Sequence, residues 1–300
     1  MAIDYTVDGL IDSVKLRAMV PASQNLFTDA RILDILNQVQ YSLVIPWVMS
    51  QRQDFFKNYT DIPVDTATNT YDIPTDTIGE KIVGVWYGRD DGNGFTIDWE
   101  ACTQVDIGDT YDKDYRTRRA FSYFVSSDKI NIFPTPSDSS KYFRVWYYRR
   151  PSTMVSSSSG AQVTGFDAAT NALNFSSFPS AWGTNTVIDF TKGTPHFRTL
   201  QSGGYISSIS GGSVYTGSAL PTDLVIGDWV TGAGETVVPQ LPFEIWTFLV
   251  HGAVSQIFKI MGNPSWQTAE QELQRAMEQA RNLIGPRADE QPKKLVSAWW

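Results

Sequence analysis

Two histidines and one cysteine are all that this chain of 300 residues offers to imidazole or thiol chemistry. His196 follows Lys192-Gly193-Thr194-Pro195, a loop composition, and His251 falls inside a strongly apolar stretch. Neither has a nucleophile signature beside it, so both are expected to be structural and no Ser-His-Asp arrangement is predicted. Cys102 cannot close an internal disulfide, and a Cys/His metal site has almost no ligands to draw on. It reads as a small strand or core residue. Carboxylates are more plentiful. Asp106, Asp109, Asp112 and Asp114 are close enough in sequence to suggest a calcium loop, yet they lack the terminal bidentate Glu of an EF-hand and are crowded by Lys113, Arg116, Arg118 and Arg119. A solvated loop with surface ion pairs is expected there, and a hairpin turn at Asp90-Asp91-Gly92-Asn93-Gly94. Glycosidase chemistry needs two facing carboxylates, which 32 acidic residues supply without identifying any. There is no Walker loop or dinucleotide fingerprint. The residue types predict no catalytic centre, cofactor or metal.

Association is the better-supported chemistry. Past Gly285-Pro286 the chain is polar and Pro-punctuated, then ends Lys293-Lys294-Leu295-Val296-Ser297-Ala298-Trp299-Trp300. Extended at roughly 3.3 Å per residue, 286–300 reaches about 50 Å. Arg287, Lys293 and Lys294 would steer it beside Pro292, while Leu295, Val296, Trp299 and Trp300 supply apolar anchors of the kind enriched at binding hot spots. The expectation is a pocket on another subunit; the alternative is a tail folded back on its own domain. A second aromatic run, Tyr142-Phe143-Arg144-Val145-Trp146-Tyr147-Tyr148, would fill a core with one strand face and an interface with the other.

A net charge of −8 and a pI near 4.8 argue against a surface that grips phosphate backbones. The longest apolar run, Leu43 to Met49, is broken by Pro46 and far short of the roughly 20 residues a membrane helix needs. Met1-Ala2-Ile3-Asp4-Tyr5 lacks the basic start and apolar core of a secretion signal, so synthesis in the cytoplasm is the expectation.

These residues need elements to hold them. Ile11, Val14 and Ala18 mark a short helix over Asp8 to Val20, closed by Pro21. Thr28 or Asp29 should cap a longer helix through Ile32, Leu33, Leu36, Val39 and Leu43, with a kink or break near Ser42 to Ile45 caused by Pro46 and continuation toward Phe56. The period then becomes two. Thr70 to Ile73, Lys81 to Tyr87 and Phe95 to Trp99 read as strands, the last two as a hairpin, and Ala120 to Val125, Lys129 to Phe133 and Lys141 to Tyr148 as a second antiparallel set. Ser156 to Gly160 has linker composition. Beyond it Val163, Phe166, Leu173, Phe178-Pro179, Trp182 and Val187-Ile188-Asp189-Phe190 recur as Ile206, Ile209, Val214, Leu220-Pro221, Leu224 and Gly227-Asp228-Trp229-Val230, two copies of a three-stranded unit that would pack as a barrel or sandwich. Pro242 opens a helix apolar around most of its girth, and Trp266 to Ile284 follows with a single apolar stripe.

The predicted fold is α+β: a discontinuous helical bundle from both chain ends, inserted antiparallel β modules and an extended C-terminal tail. Its parts are a first helical half over 1–60, a β module over 61–150, an inserted β module with the repeat over 151–239, a second helical half over 240–285 and the tail over 286–300.

With these pieces placed, the chain resembles the head-to-tail adaptor (head-completion or connector) proteins of tailed bacteriophages, especially the larger ones of short-tailed phages. The residues that carry the likeness are Leu26-Phe27-Thr28-Asp29-Ala30-Arg31-Ile32-Leu33, Tyr71-Asp72-Ile73-Pro74 with Ile78-Gly79, Gly227-Asp228-Trp229-Val230 before Val238-Pro239-Gln240-Leu241-Pro242, and Pro286-Arg287 with Pro292-Lys293-Lys294. The resemblance implies a virion protein made in the bacterial cytoplasm. Such adaptors form a homo-oligomeric ring, usually of twelve copies, that docks its C-terminal tails into the portal protein, meets the tail (nozzle or fibre) proteins and lets DNA pass without sequence-specific binding. Here the portal contact would fall to 286–300 and the tail-facing contacts to the β modules. The repeat module is more than the smallest adaptors carry. A carbohydrate-binding or depolymerising surface protein, suggested by aromatic sheets and a Gly/Ser/Thr-rich barrel, is the competing expectation.

Overall fold

Thr6 and Thr28 start the two N-terminal helices in the same way, each turning its hydroxyl back to accept a backbone N–H three residues on. In the computed structural model, which describes residues 6–20, 25–90, 96–106, 108, 121–193 and 198–284, they cap α1 (Val7–Arg17) and α2 (Asp29–Val39). α1 stops three residues before the expected end. Met19 adopts a left-handed φ of 51°, and the Val20 amide reaches the Lys15 carbonyl, closing the helix before Pro21 is reached. α2 runs into a π-helical turn, Gln40–Val44, in which the Ile45 amide bonds to the Gln40 carbonyl, and then into α3 (Ile45–Arg52). Pro46 has no N–H to give, and the widened turn immediately before it absorbs the mismatch.

By internal contacts the chain divides into two compact units, residues 1–52 with 151–300, and residues 53–150. In the first, α1 and α2 pack against α4 (Trp246–Ile260), as does α5 (Trp266–Ile284). α4 buries Phe248, Leu249, Ala253 and Ile257 completely, so it is covered on several sides. α5 buries a narrower stripe of Ala269, Leu273, Ala280 and Ile284. Gly252 is where α2 comes nearest: a Cβ there would stand 2.6 Å from Val39 Cγ1. No helix among the described residues is long and apolar enough to cross a membrane.

Ser156 to Gly160 is not a loose linker. The Asp8 carboxylate accepts from the Ser157 amide and hydroxyl, and Gly160 is wedged so closely that a Cβ would meet Val237 Cγ1 at 2.7 Å. A short parallel pair, β9 (Thr153–Met154) with β16 (Glu235–Thr236), runs alongside. Buried amides complete the seam: Gln40 donates to the Ser152 carbonyl, Gln240 accepts from the Ser152 amide and donates to Thr191.

Six strands of this unit close into a barrel: β10 (Gly160–Asp167), β11 (Ala172–Phe175), β12 (Val187–Thr191), β13 (Thr199–Ser210), β14 (Ser213–Thr216) and β15 (Trp229–Gly232), in the order β10-β11-β14-β13-β12-β15. Its two halves are copies. Val163 and Ile206, Leu173 and Val214, Trp182 and Leu224, Ile188 and Val230 occupy matching core places. The hydrogen bonds repeat too: the Gly227 amide to the Val163 carbonyl matches that of Asn185 to Ile206, with both Asn185 and Gly227 at positive φ. These bonds correct the sequence alignment of the last strand by two residues. Val187-Ile188-Asp189-Phe190 matches Trp229-Val230-Thr231-Gly232, because glycine and asparagine in the turn, and not the apolar spacing, fix the register.

The second unit opens with β1 (Lys57–Pro63), a strand that the sequence pattern did not reveal because Tyr59 and Ile62 are its only large apolar residues. It joins β8 (Lys141–Arg149), β3 (Thr77–Asp90) and β4 (Thr96–Ala101) in the order β1-β8-β3-β4. β8 therefore does not extend the set of β6 (Ser122–Ser126) and β7 (Lys129–Phe133), as the chain order suggested. Those two pair with β2 (Thr70–Asp72) and, in parallel, with β5 (Thr103–Gln104), giving a second sheet β2-β7-β6-β5. Val85, Phe143 and Val145 of the first sheet share a core with Tyr71, Tyr123, Ile130 and Ile132 of the second. The fold is thus mixed α+β, with mostly antiparallel strands.

Candidate interaction surfaces

Alternation along β8 gives the first sheet two unlike faces. Phe143, Val145 and Tyr147 point into the core, and Arg144 and Trp146 point outward. Opposite them on β1 stand Asp61 and Tyr59, and on β3 Trp86 and Gly84. Arg144 forms two parallel bonds to the Asp61 carboxylate, each 2.7 Å long. Its guanidinium lies 4.0 Å from the Tyr59 ring centre and 4.1 Å from that of Trp99. Lys57 reaches over Trp146 at 5.2 Å, and Trp146 packs at an angle against Tyr59 and Trp86. A planar guanidinium clamped by Asp61 against two aromatic rings stiffens this surface, and Tyr59 and Trp86 nevertheless stay 44% and 38% exposed. Sequence reading found the Tyr142 to Tyr148 run but not its partners. The signal was Lys57, Tyr59 and Asp61 at a spacing of two.

A second surface is the barrel loop before β15. The Asp228 carboxylate accepts from the amides of Val225 (2.8 Å) and Gly193 (2.9 Å) and from Lys192, while Lys192 also bonds the Asp223 carbonyl and Arg198 pairs with Asp223. A Cβ on Gly193 would meet the Gly227 carbonyl at 2.7 Å, so the contact requires glycine there. The braced loop presents Val225 and Ile226 at 47% and 67% exposure. In the matching loop of the first half these places are Gly183 and Thr184, and a Thr186 hydroxyl replaces the carboxylate.

The residues singled out for chemistry fall apart in space. Cys102 packs under the first sheet, and burial pushes its thiol up to about 12, leaving no thiolate at neutral pH. His251 lies between α1 and α5: Arg17 Nη1 is 3.1 Å from its Nε2 and Glu272 Oε2 is 3.5 Å from its Nδ1. Burial, and then Arg17, lower its pKa against the pull of Glu272. Asp106 is exposed; Asp109, Asp112, Asp114, the turn residues Asp91 to Gly94 and His196 lie outside the described residues. So do Arg287, Pro292, Lys293, Lys294, Leu295, Val296, Trp299 and Trp300. Among the described residues no three His, Cys, Asp or Glu side chains gather as a metal site.

A family profile described as SU10 adaptor protein matches residues 5–184, more than half of the chain. The chain belongs to this family. The adaptor match spans both N-terminal helices and the two-sheet unit, and ends inside the first barrel half, just before β12. A phage adaptor of this family is a structural protein of the virion and works with portal and tail components. No curated protein matches this adaptor significantly.

Proposed function

We propose that this adaptor forms the ring that joins the portal to the tail of a short-tailed phage and continues the DNA channel between them. The family match over residues 5–184 is the observation that carries the reading. In it the helices of both chain ends form one discontinuous body, and residues 286–300 extend from α5 into a groove of the portal. Leu295, Val296, Trp299 and Trp300 would be the anchors, with Arg287, Lys293 and Lys294 steering and Pro292 stiffening the approach. The β modules would meet the tail proteins. Net charge supports the channel role, since −8 per copy repels a polyanion and keeps it mobile.

The stacked cations weigh against sugar binding. Arg144 already covers faces of Tyr59 and Trp99, and Lys57 one of Trp146, so a pyranose would have to displace them. Rigid Trp, Tyr and Arg side chains suit contact with protein instead.

Purified portal mixed with the full chain and with a version ending at residue 285 tests the proposal. Binding by the full chain, with at least about a hundredfold loss on truncation, is expected for two buried tryptophans. Equal binding by both would refute the tail assignment, and electron microscopy of the complex would show whether the copies form a ring.

A further inference from the structure

The contact of His251 with Arg17 depends on a proton being absent. A guanidinium only donates hydrogen bonds, so Nε2 must be the acceptor at 3.1 Å and the ring proton must sit on Nδ1, facing Glu272. We propose that His251 is a protonation switch that holds the C-terminal end of α1 on α4 when neutral and releases it when charged. A proton taken from solvent at Nε2 would occupy the position that Arg17 uses and set two cations against each other. The opposite edge would gain a charge pair with Glu272. The ring thus exchanges a bond to α1 for a stronger one to α5.

The other charges around α4 leave this exchange undisturbed. Lys15 of α1 is held by Asp29 of α2 at 2.7 Å and lies near Asp12, Asp8 is held by Ser157, Arg31 of α2 donates to the Leu26 carbonyl, and Lys259 of α4 pairs with Glu270 of α5. Arg275, Glu278 and Arg281 of α5 and Glu244 before α4 are exposed. Asp34 of α2 is exposed too, and among the described residues Arg17 and Glu272 are the charges that act on the ring. Because the pKa is lowered from 6.5, His251 is neutral at pH 7 and the switch engages on acidification. What it would loosen is the Arg17 edge of the last turn, where Leu16 and Met19 are 81% and 86% exposed, while Val14 and Ala18 stay buried and Lys15 stays paired with Asp29.

Hydrogen exchange on the full chain at pH 7.5 and 5.0, corrected for the intrinsic pH dependence, reads the switch directly, with the His251 ring followed by NMR. Protection of the last turn of α1 should fall about tenfold on acidification, the effect of losing one charge-assisted bond. Arg17→Gln, at an exposed site, should remove the pH dependence and raise the pKa of His251. His251→Gln, whose amide can still accept from Arg17 and donate to Glu272, should keep α1 protected at both pH values. Unchanged protection in the wild type, an equal acid loss in both variants, or a His251 titration indifferent to Arg17→Gln would each overturn the proposal. If His251→Gln does not fold, the Arg17→Gln pair of measurements decides it.

Discussion

The hydroxyl of Thr186 and the carboxylate of Asp228 cap the same turn in the two halves of the barrel, accepting from the amides of Gly183 at 2.9 Å and Val225 at 2.8 Å. The copies have diverged in what else they hold. The Thr186 hydroxyl makes that one bond, whereas the Asp228 carboxylate is buried and also gathers Gly193 and Lys192. Thr186→Ala should therefore cost about 1 kcal/mol in urea unfolding, and Asp228→Ala about 3 kcal/mol, because it also takes the acceptor from the Gly193 amide and the counter-charge from a largely buried ammonium that keeps only the Asp223 carbonyl.

Gly252 and Val39 should be coupled. A methyl at 252 enters the space of Val39 Cγ1, an overpacking of about 1–3 kcal/mol, against about 1 kcal/mol gained from alanine's helix propensity. Gly252→Ala is expected to destabilise the wild type by about 1 kcal/mol and to be neutral or stabilising in a Val39→Ala background. A double-mutant cycle measures the reversal of sign.

Arg144→Lys keeps the charge and loses the fork. The paired bonds to Asp61 and the stacking on Tyr59 and Trp99 all depend on a planar guanidinium, so a loss of about 1 kcal/mol is expected, with a change in tryptophan emission as Trp99 is uncovered.

Cys102 should resist thiol reagents at pH 8 in the native state and react once denaturant unfolds the chain. Its folded pKa is raised from 9.0 to about 12, so the folded protein binds the proton more tightly than the unfolded one. The resulting stability is complete below pH 9 and is lost as pH rises toward 12, a decline that Cys102→Ala should reduce.

Legibility in the sequence tracked how local the cause was. Thr28 as a cap, the disturbance before Pro46 and the apolar stripe of α5 follow from neighbours within a few residues, and each is visible in the chain. β1 was not, since its partner β8 lies roughly eighty to ninety residues away and only that pairing gives Lys57, Tyr59 and Asp61 a shared face. For the candidate surfaces the balance was similar. The Tyr142 to Tyr148 run was readable as two-faced, but the clasp of Asp61 on Arg144 was not. The barrel repeat was readable through its core residues, while its register depended on Asn185 and Gly227, whose positive φ answers to hydrogen bonds across the barrel.

By itself, then, the order of residues determined most element types, caps, the duplicated unit and an acidic net charge with aromatic-rich segments, all set by short-range sterics, period and charge. Tertiary structure decided which strands pair, which face of β8 meets solvent, and that His251 stands between Arg17 and Glu272. Those outcomes depend on contacts between residues far apart in the chain, whose geometry exists only once apolar burial has brought the elements together.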